Sequence, residues 1–381
     1  MNVLYDYQAF SMQRYGGVSK CFCELIKSLS REIHSQILIE YSNNAHLWDT
    51  HLCDNLSRGF DYYSFLPDYS FKGKKRLYSY LNQLNIISDI DKKNLHFAIK
   101  NFNNCSFDVF HPTYYNPYFL DYIGEKPFVL TIHDMMPELF PQYYRSDDSQ
   151  IVWKKCLASK ANHIIAVSDN TKRDIVKLLN VEPDKISVVY HGGPEICLDN
   201  LPSLSYRPYF LFVGMRTGYK NFELLLRVFK NFHKSQRDYL LICVGMPFEK
   251  NEKDLINTLE LSDSVLCVKA NDKELSAYYA HAVAFIYPSL YEGFGMPILE
   301  AFAYGCPVIL NNASCFPEIA GDSAIYFDGL NGSSLYDAMT SICNMSERER
   351  CSLVKSGYER LNMFSWAESA QRLTSIYKSL I

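Results

Sequence analysis

The feature that most limits what this chain can fold into is an alternation, carried through twice, of short apolar runs and helix-length amphipathic segments. The first series of runs is VLYDYQ (3–8), QILIEY (36–41), VFHPTYY (109–115), PFVLTIHD (127–134), HIIAVS (163–168) and ISVVYH (186–191). The second is YFLFVG (209–214), YLLICVG (239–245), VLCVKA (265–270), AFIYPS (284–289), PVILNN (307–312) and AIYFD (324–328). β-Branched and aromatic residues fill these runs and turn formers bound them, as in strands. The runs are apolar nearly throughout, so both faces of their sheet must be covered. Segments such as CFCELIKSLSREI (21–33) and NFELLLRVFKNFHKS (221–235) supply the cover. The pattern predicts an α/β chain with two doubly wound, Rossmann-like domains facing a cleft.

A length of 381 residues is too much for one core and suits two domains. The junction is expected in HGGPEICLDNLPSLSYRP (191–208), whose prolines and glycines read as linker. The expected division is a first domain over 1–195, a second over 205–365, and a last helix over 366–381. That helix puts Trp366, Ala370, Leu373, Tyr377 and Leu380 on one face, without indicating which domain receives them.

Composition narrows the function classes. A net charge of -4 gives no footing for nucleic acid. Twelve scattered cysteines without a C-x-x-C fit a reducing compartment better than a disulfide framework or a zinc site. The opening MNVLYDYQAF has no basic start, and no apolar run approaches the roughly 18 residues that span a bilayer. A cytoplasmic protein is expected, with any membrane contact confined to the inner face.

In open α/β sheets, ligands gather beyond the carboxyl ends of the strands, and several chemistry-bearing stretches fall there. In SLYEGFGMPILEA (289–301), Glu292 and Glu300 flank a glycine-containing turn. With Pro297 as the first helical residue, the amides of Phe294, Gly295 and Met296 lie at a helix start, where unpaired donors and the dipole favour an anion. In FVGMRTGYKN, Arg216 and Lys220 occupy a loop before a helix and are placed to hold a diphosphate; the spacing is not that of a Walker loop. Arg14-Tyr15-Gly16-Gly17-Val18 follows the first strand, its two glycines admitting a phosphate or sugar close to the backbone. His133 and Asp134 end the strand of VLTIHDMMPE.

Taken together these stretches resemble retaining glycosyltransferases of the GT-B fold, specifically glycosyltransferase family 4. EGFGMPILEA matches that family's E-x7-E signature, and Gly16-Gly17, HDMMPE, VSDNTKRDI, VGMRTGYKN and NNASCFPEIAGDSAIYFD follow in the family's order. The resemblance spans nearly the whole chain and is weakest over 43–105. It implies that Glu292 bonds the donor sugar and Glu300 the ribose, while Arg216 and Lys220 hold the diphosphate with the Phe294–Met296 amides. It also implies that His133 bonds the transferred sugar, that Gly16-Gly17 borders diphosphate and acceptor, and that the base lies near Val268 and Lys269. Transfer with retention, from a nucleotide-diphosphate sugar to an oligosaccharide or lipid-linked glycan, is the implied reaction. The opening YDYQAFSMQRYGGVSK looks like enzymes of O-antigen and related polysaccharide assembly, which puts GDP-mannose ahead of UDP-hexoses and dTDP-rhamnose as donor.

Other signals pull elsewhere. Asp89 and Asp91 form a D-x-D that binds metal in another glycosyltransferase fold. Here it precedes a helical pattern with Asp91 read as the N-cap, so no metal and no cofactor is expected. FKGKKRLYSYLNQL (71–84) mixes basic and apolar residues and is either a solvated loop or a membrane-surface contact. Because fold does not fix function, a nucleotide-sugar epimerase or hydrolase and a non-catalytic binder stand as alternatives.

Overall fold

The protein is described from a computed structural model, over residues 1–69, 71–144, 148–196, 201–204 and 206–381. The first series of runs becomes β1 (Asn2–Asp6), β2 (His34–Leu38), β3 (Val109–His111), β4 (Val129–Ile132), β5 (His163–Ala166) and β6 (Ile186–Val188). The second becomes β7 (Tyr209–Val213), β8 (Leu240–Val244), β9 (Val265–Val268), β10 (Ala284–Tyr287), β11 (Val308–Asn311) and β12 (Ile325–Phe327). Every strand pair is parallel. The strands are shorter than the apolar runs: β3 stops before Pro112, which has no amide to give the ladder.

In the first domain the strands pair as β2-β1-β3 and β4-β5-β6. A Phe110–Phe128 bridge joins the two sets, with the Phe110 amide donating to the Pro127 carbonyl at 3.0 Å. The second domain has one sheet in the order β12-β11-β10-β7-β8-β9. Counted within its own series this is the 3-2-1-4-5-6 order of a dinucleotide-binding sheet, and its reversal point lies between β7 and β10. In the first domain the corresponding point lies between β1 and β3. The helix expected from residue 21 instead runs Gly17–Lys27, with Gly16 as its N-cap; the Ser28 amide turns back to Glu24 and Leu25 carbonyls and closes it.

The last helix, Trp366–Lys378, returns to the first domain. Leu373 and Tyr377 are fully buried there among residues of β1, β3 and β4. The Tyr377 hydroxyl sits 2.8 Å from that of Tyr5 and 2.6 Å from His111 Nδ1. The chain thus crosses between domains twice, and the crossings run side by side: the Gly193 amide donates to the Phe364 carbonyl at 3.0 Å. Among the described residues no helix is long and apolar enough to cross a membrane.

Candidate active site

The loops after β7 and β10 meet at the reversal point of the second sheet. The β7 loop ends in a single turn, Gly218–Lys220, and the β10 loop docks on it, the Leu290 amide donating to the Tyr219 carbonyl at 2.8 Å. This brings Lys220 Nζ to 2.6 Å from Glu292 Oε1, with both side chains largely buried. The Glu292 backbone is fixed by Ser314, whose hydroxyl accepts from the Glu292 amide (3.1 Å) and donates to its carbonyl (2.7 Å).

The helix after this turn is Met296–Ala303, capped by Gly295. Pro297 is therefore its second residue rather than its first; the helix starts one residue early because Gly295, at φ 93°, takes the left-handed cap. Among the described residues the amides of Gly293, Phe294, Gly295 and Met296 donate to no protein acceptor. The Phe294 side chain points elsewhere, packing against His191 (5.0 Å) and Phe364 (5.8 Å) at the crossings.

Arg216 does not join Lys220. Its guanidinium forms a buried bridge to Glu252, with Nε–Oε1 at 2.8 Å, and donates to the Met246 and Pro247 carbonyls. A guanidinium this buried requires a counter-ion, and the helix Lys250–Thr258 supplies one that the sequence did not reveal. Only Nη1 is left, buried and without a partner. Val268 ends β9, where its carbonyl accepts from the Gly245 amide at 3.0 Å, and Lys269 beyond it is exposed.

The first domain contributes the facing wall. Gly16 caps the Gly17–Lys27 helix, and a side chain at Gly17 would enter open space. From this helix Lys20 reaches Glu300 across the domains, Nζ to Oε1 at 3.5 Å, while the Tyr279 hydroxyl donates to Glu300 Oε2 at 3.2 Å. Burial acts to lower the Lys20 pKa, but the Glu300 and Asp272 carboxylates outweigh it and the pKa is raised. Lys20 was not singled out by the sequence; its only mark there is its place three residues beyond Gly17.

His133 lies at the end of β4, its amide donating to the Tyr115 hydroxyl at 3.1 Å. Its ring rests between Phe22 (5.8 Å) and His191 (6.1 Å). Burial, with the Lys154 charge adding, pushes its pKa down to about 4, so the ring is neutral at neutral pH. Its Nε2 is buried with no partner, a state that ordinarily signals a missing ligand or water.

Contacts between domains hold these groups in register. A Cβ on Gly293 would fall 1.7 Å from the His133 carbonyl oxygen, so only glycine lets the two loops touch. The Gly293 carbonyl accepts from the hydroxyls of Ser168 (2.7 Å) and Thr171 (3.2 Å) at the start of the Asp169–Leu179 helix. The Glu318 carboxylate accepts from the amides of Asp169 (2.6 Å) and Asn170 (3.0 Å), and the Tyr291 hydroxyl donates to Asp174 at 2.7 Å. Sequence reading quoted both stretches but assigned these residues no task, since a contact between distant segments leaves no spacing to read.

The D-x-D lies apart from these groups. Asp89, not Asp91, caps the helix Ile90–Asn101, accepting from the Lys92 amide; Asp91 sits in the first turn and accepts from Ser11. The cap falls on Asp89 because its extended backbone (φ -78°, ψ 172°) aims the carboxylate at the Lys92 amide. Among the described residues no cluster of His, Cys, Asp and Glu is assembled that would hold a metal ion.

With this geometry in view, comparison with known proteins is direct. The profile of glycosyl transferases group 1 matches residues 200–360, and that of glycosyltransferase family 4 matches residues 15–192. Both halves are covered, and the chain belongs to this family of GT-B glycosyltransferases. The chain is 28% identical over 56% of its length to the O-antigen chain mannosyltransferase RfbU of Salmonella typhimurium, the match spanning 60% of that protein. It is 29% identical to O-antigen chain mannosyltransferase B of Escherichia coli, over 71% of this chain and 74% of that one. In fold it is similar to Anabaena Alr3699/HepE, solved with UDP and glucose, at a TM-score of 0.72, 15% identity and 99% coverage of both chains.

Proposed function

We propose that this chain is a retaining, metal-independent glycosyltransferase that moves mannose from GDP-mannose to a growing surface-polysaccharide or lipid-linked glycan. The observation that carries this reading is the set of donors gathered at one sheet reversal point. Among the described residues the 293–296 amides are without acceptors beside the Lys220–Glu292 pair, with the orphan Nε2 of His133 in the loop that packs against Gly293.

A donor diphosphate on those amides gives them acceptors and draws Lys220 to the phosphates, with Arg216 Nη1 as a further donor. Glu292 is then released to accept hydrogen bonds from sugar hydroxyls, and Glu300 to accept from the ribose. Neutral His133 bonds the sugar without adding charge. The C1–O bond to the diphosphate breaks and a bond from C1 to the acceptor oxygen forms on the same face. The acceptor proton passes to the departing phosphate oxygen. Fixed cations and amides stabilise the charge on that leaving group, commonly the largest catalytic contribution, and this is why no metal is invoked. The names of the two O-antigen mannosyltransferase relatives support mannose and a glycan acceptor.

The test is incubation with GDP-mannose and a mannose-terminated oligosaccharide in EDTA, followed by NMR of the product. A new glycosidic linkage with the donor's α configuration is expected. A β linkage overturns retention, dependence on added metal overturns metal independence, and isomerised or hydrolysed donor without a linkage favours an epimerase or hydrolase.

A further inference from the structure

The turn that follows β11 contains a residue whose backbone works against its side chain. Ser314 has φ 57°, in the left-handed region where a Cβ is crowded and glycine is not. A residue kept in such a conformation is held by its surroundings, and residues of this kind gather at functional sites. Glycine would take the turn without strain, so what serine adds is its hydroxyl. That hydroxyl grips both backbone polar groups of Glu292, accepting from the amide at 3.1 Å and donating to the carbonyl at 2.7 Å. The same strand end holds the start of the β10 loop. Buried Asn311 donates from Nδ2 to the Ser289 carbonyl at 3.0 Å and accepts from the Gly329 amide at 2.8 Å. The Gly329 carbonyl in turn accepts at 2.8 Å from Asn221, the neighbour of Lys220. Glu292 and Lys220 are therefore both tied to the end of β11, the first through Ser314 and the second through Gly329 and Asn221.

We propose that Ser314 is a positioning residue for transfer: it fixes the Glu292 backbone so that the carboxylate meets the donor sugar in one orientation, without itself touching the substrate. The inference rests on the reading that Glu292 bonds that sugar. Groups that select a substrate have to be held to about 0.5 Å, and a side chain as long as glutamate meets that only from an immobile backbone. The amides beyond Glu292 have a separate support, because the Gly293 carbonyl is held by Ser168 and Thr171. Loss of the Ser314 hydroxyl thus loosens Glu292 before it loosens the amides proposed to hold the diphosphate.

Two substitutions in the full chain test this. Ser314→Ala removes the hydroxyl and keeps the crowded Cβ; Ser314→Gly removes the hydroxyl and relieves the backbone. Both are expected to lower kcat for transfer from GDP-mannose by about ten- to a hundredfold, the range that a small misplacement at a site can cost, with GDP affinity within about twofold of the parent. Ser314→Gly is expected to melt close to the parent, relief of the positive φ offsetting the lost hydrogen bonds; a merely structural serine would then leave its kcat unchanged. A parental kcat in Ser314→Gly overturns the proposal, as does a loss of GDP affinity equal to the loss of kcat, which would assign the hydroxyl to the phosphate-binding amides. Glu292→Ala run alongside separates the two readings. If it transfers normally, the assignment of Glu292 fails and this inference with it; if it is impaired while both Ser314 variants are not, only this inference fails. Amide hydrogen exchange needs no donor: the Glu292 amide is expected to exchange faster in Ser314→Ala, and equal protection in parent and variant overturns the proposal whatever the donor.

Discussion

At the residue scale Lys220 and Glu292 neutralise each other in a largely buried pair, and the proposed function has a diphosphate take Lys220 from it. Glu292→Ala is expected to lower transfer on the order of a hundredfold, from the loss of charge-assisted bonds of about 1.5–3 kcal/mol each, in a chain that still folds. A rate within twofold of the parent contradicts its assignment. Lys220→Ala is expected to weaken GDP binding by roughly tenfold or more while leaving guanosine binding nearly unchanged; calorimetry with both ligands checks this. The buried histidines set the acid limit. Burial drives His133 down to about 4 and His111 to about 3, the neighbouring His133 adding to the effect at His111. Above pH 6.5 neither folded nor unfolded ring is charged and the shifts do not alter stability. Below it the unfolded chain takes up the protons first, so stability falls with pH until the folded values are reached. The slope is about 1.4 kcal/mol per pH unit for fully buried His111, and melts from pH 7 to 4 should show it.

At the element scale the alternation of strands and helices was legible because burial on both faces leaves continuous apolar runs, and the turn after β10 was legible because glycine and proline punctuate it. The long-range polar partners were not. Glu252 and Lys20, in ion pairs, and Glu318, on backbone amides, act across distances in sequence that no periodicity records, and Asp91 was read as the cap that Asp89 provides. The contact of Gly293 with the His133 carbonyl yields a prediction of its own. Gly293→Ala must push the two loops apart, so overpacking should cost about 1–3 kcal/mol and lower kcat even though no reacting group is changed. Normal melting and normal kcat would show that the loops do not need this contact.

At the scale of the whole molecule the last helix ties the second domain back to the first. The sequence marked its apolar face but carried no sign of its destination, because complementarity to Tyr5 and His111 exists only once the first domain is folded. Tyr377→Phe removes that hydroxyl from a buried polar group and should cost about 1–3 kcal/mol, read as a lower denaturation midpoint; an unchanged midpoint would mean the network contributes nothing. The central claim is that the facing domains form a metal-free site for a nucleotide diphosphate. It is tested most directly by thermal shift with GDP, UDP and dTDP in EDTA. At a hundred times its dissociation constant a ligand stabilises by about 2.7 kcal/mol, roughly 5–11 °C for a domain near 200 residues. The account predicts a shift with GDP well above the other two; no shift with any of them, or one that appears only with magnesium or manganese, contradicts it.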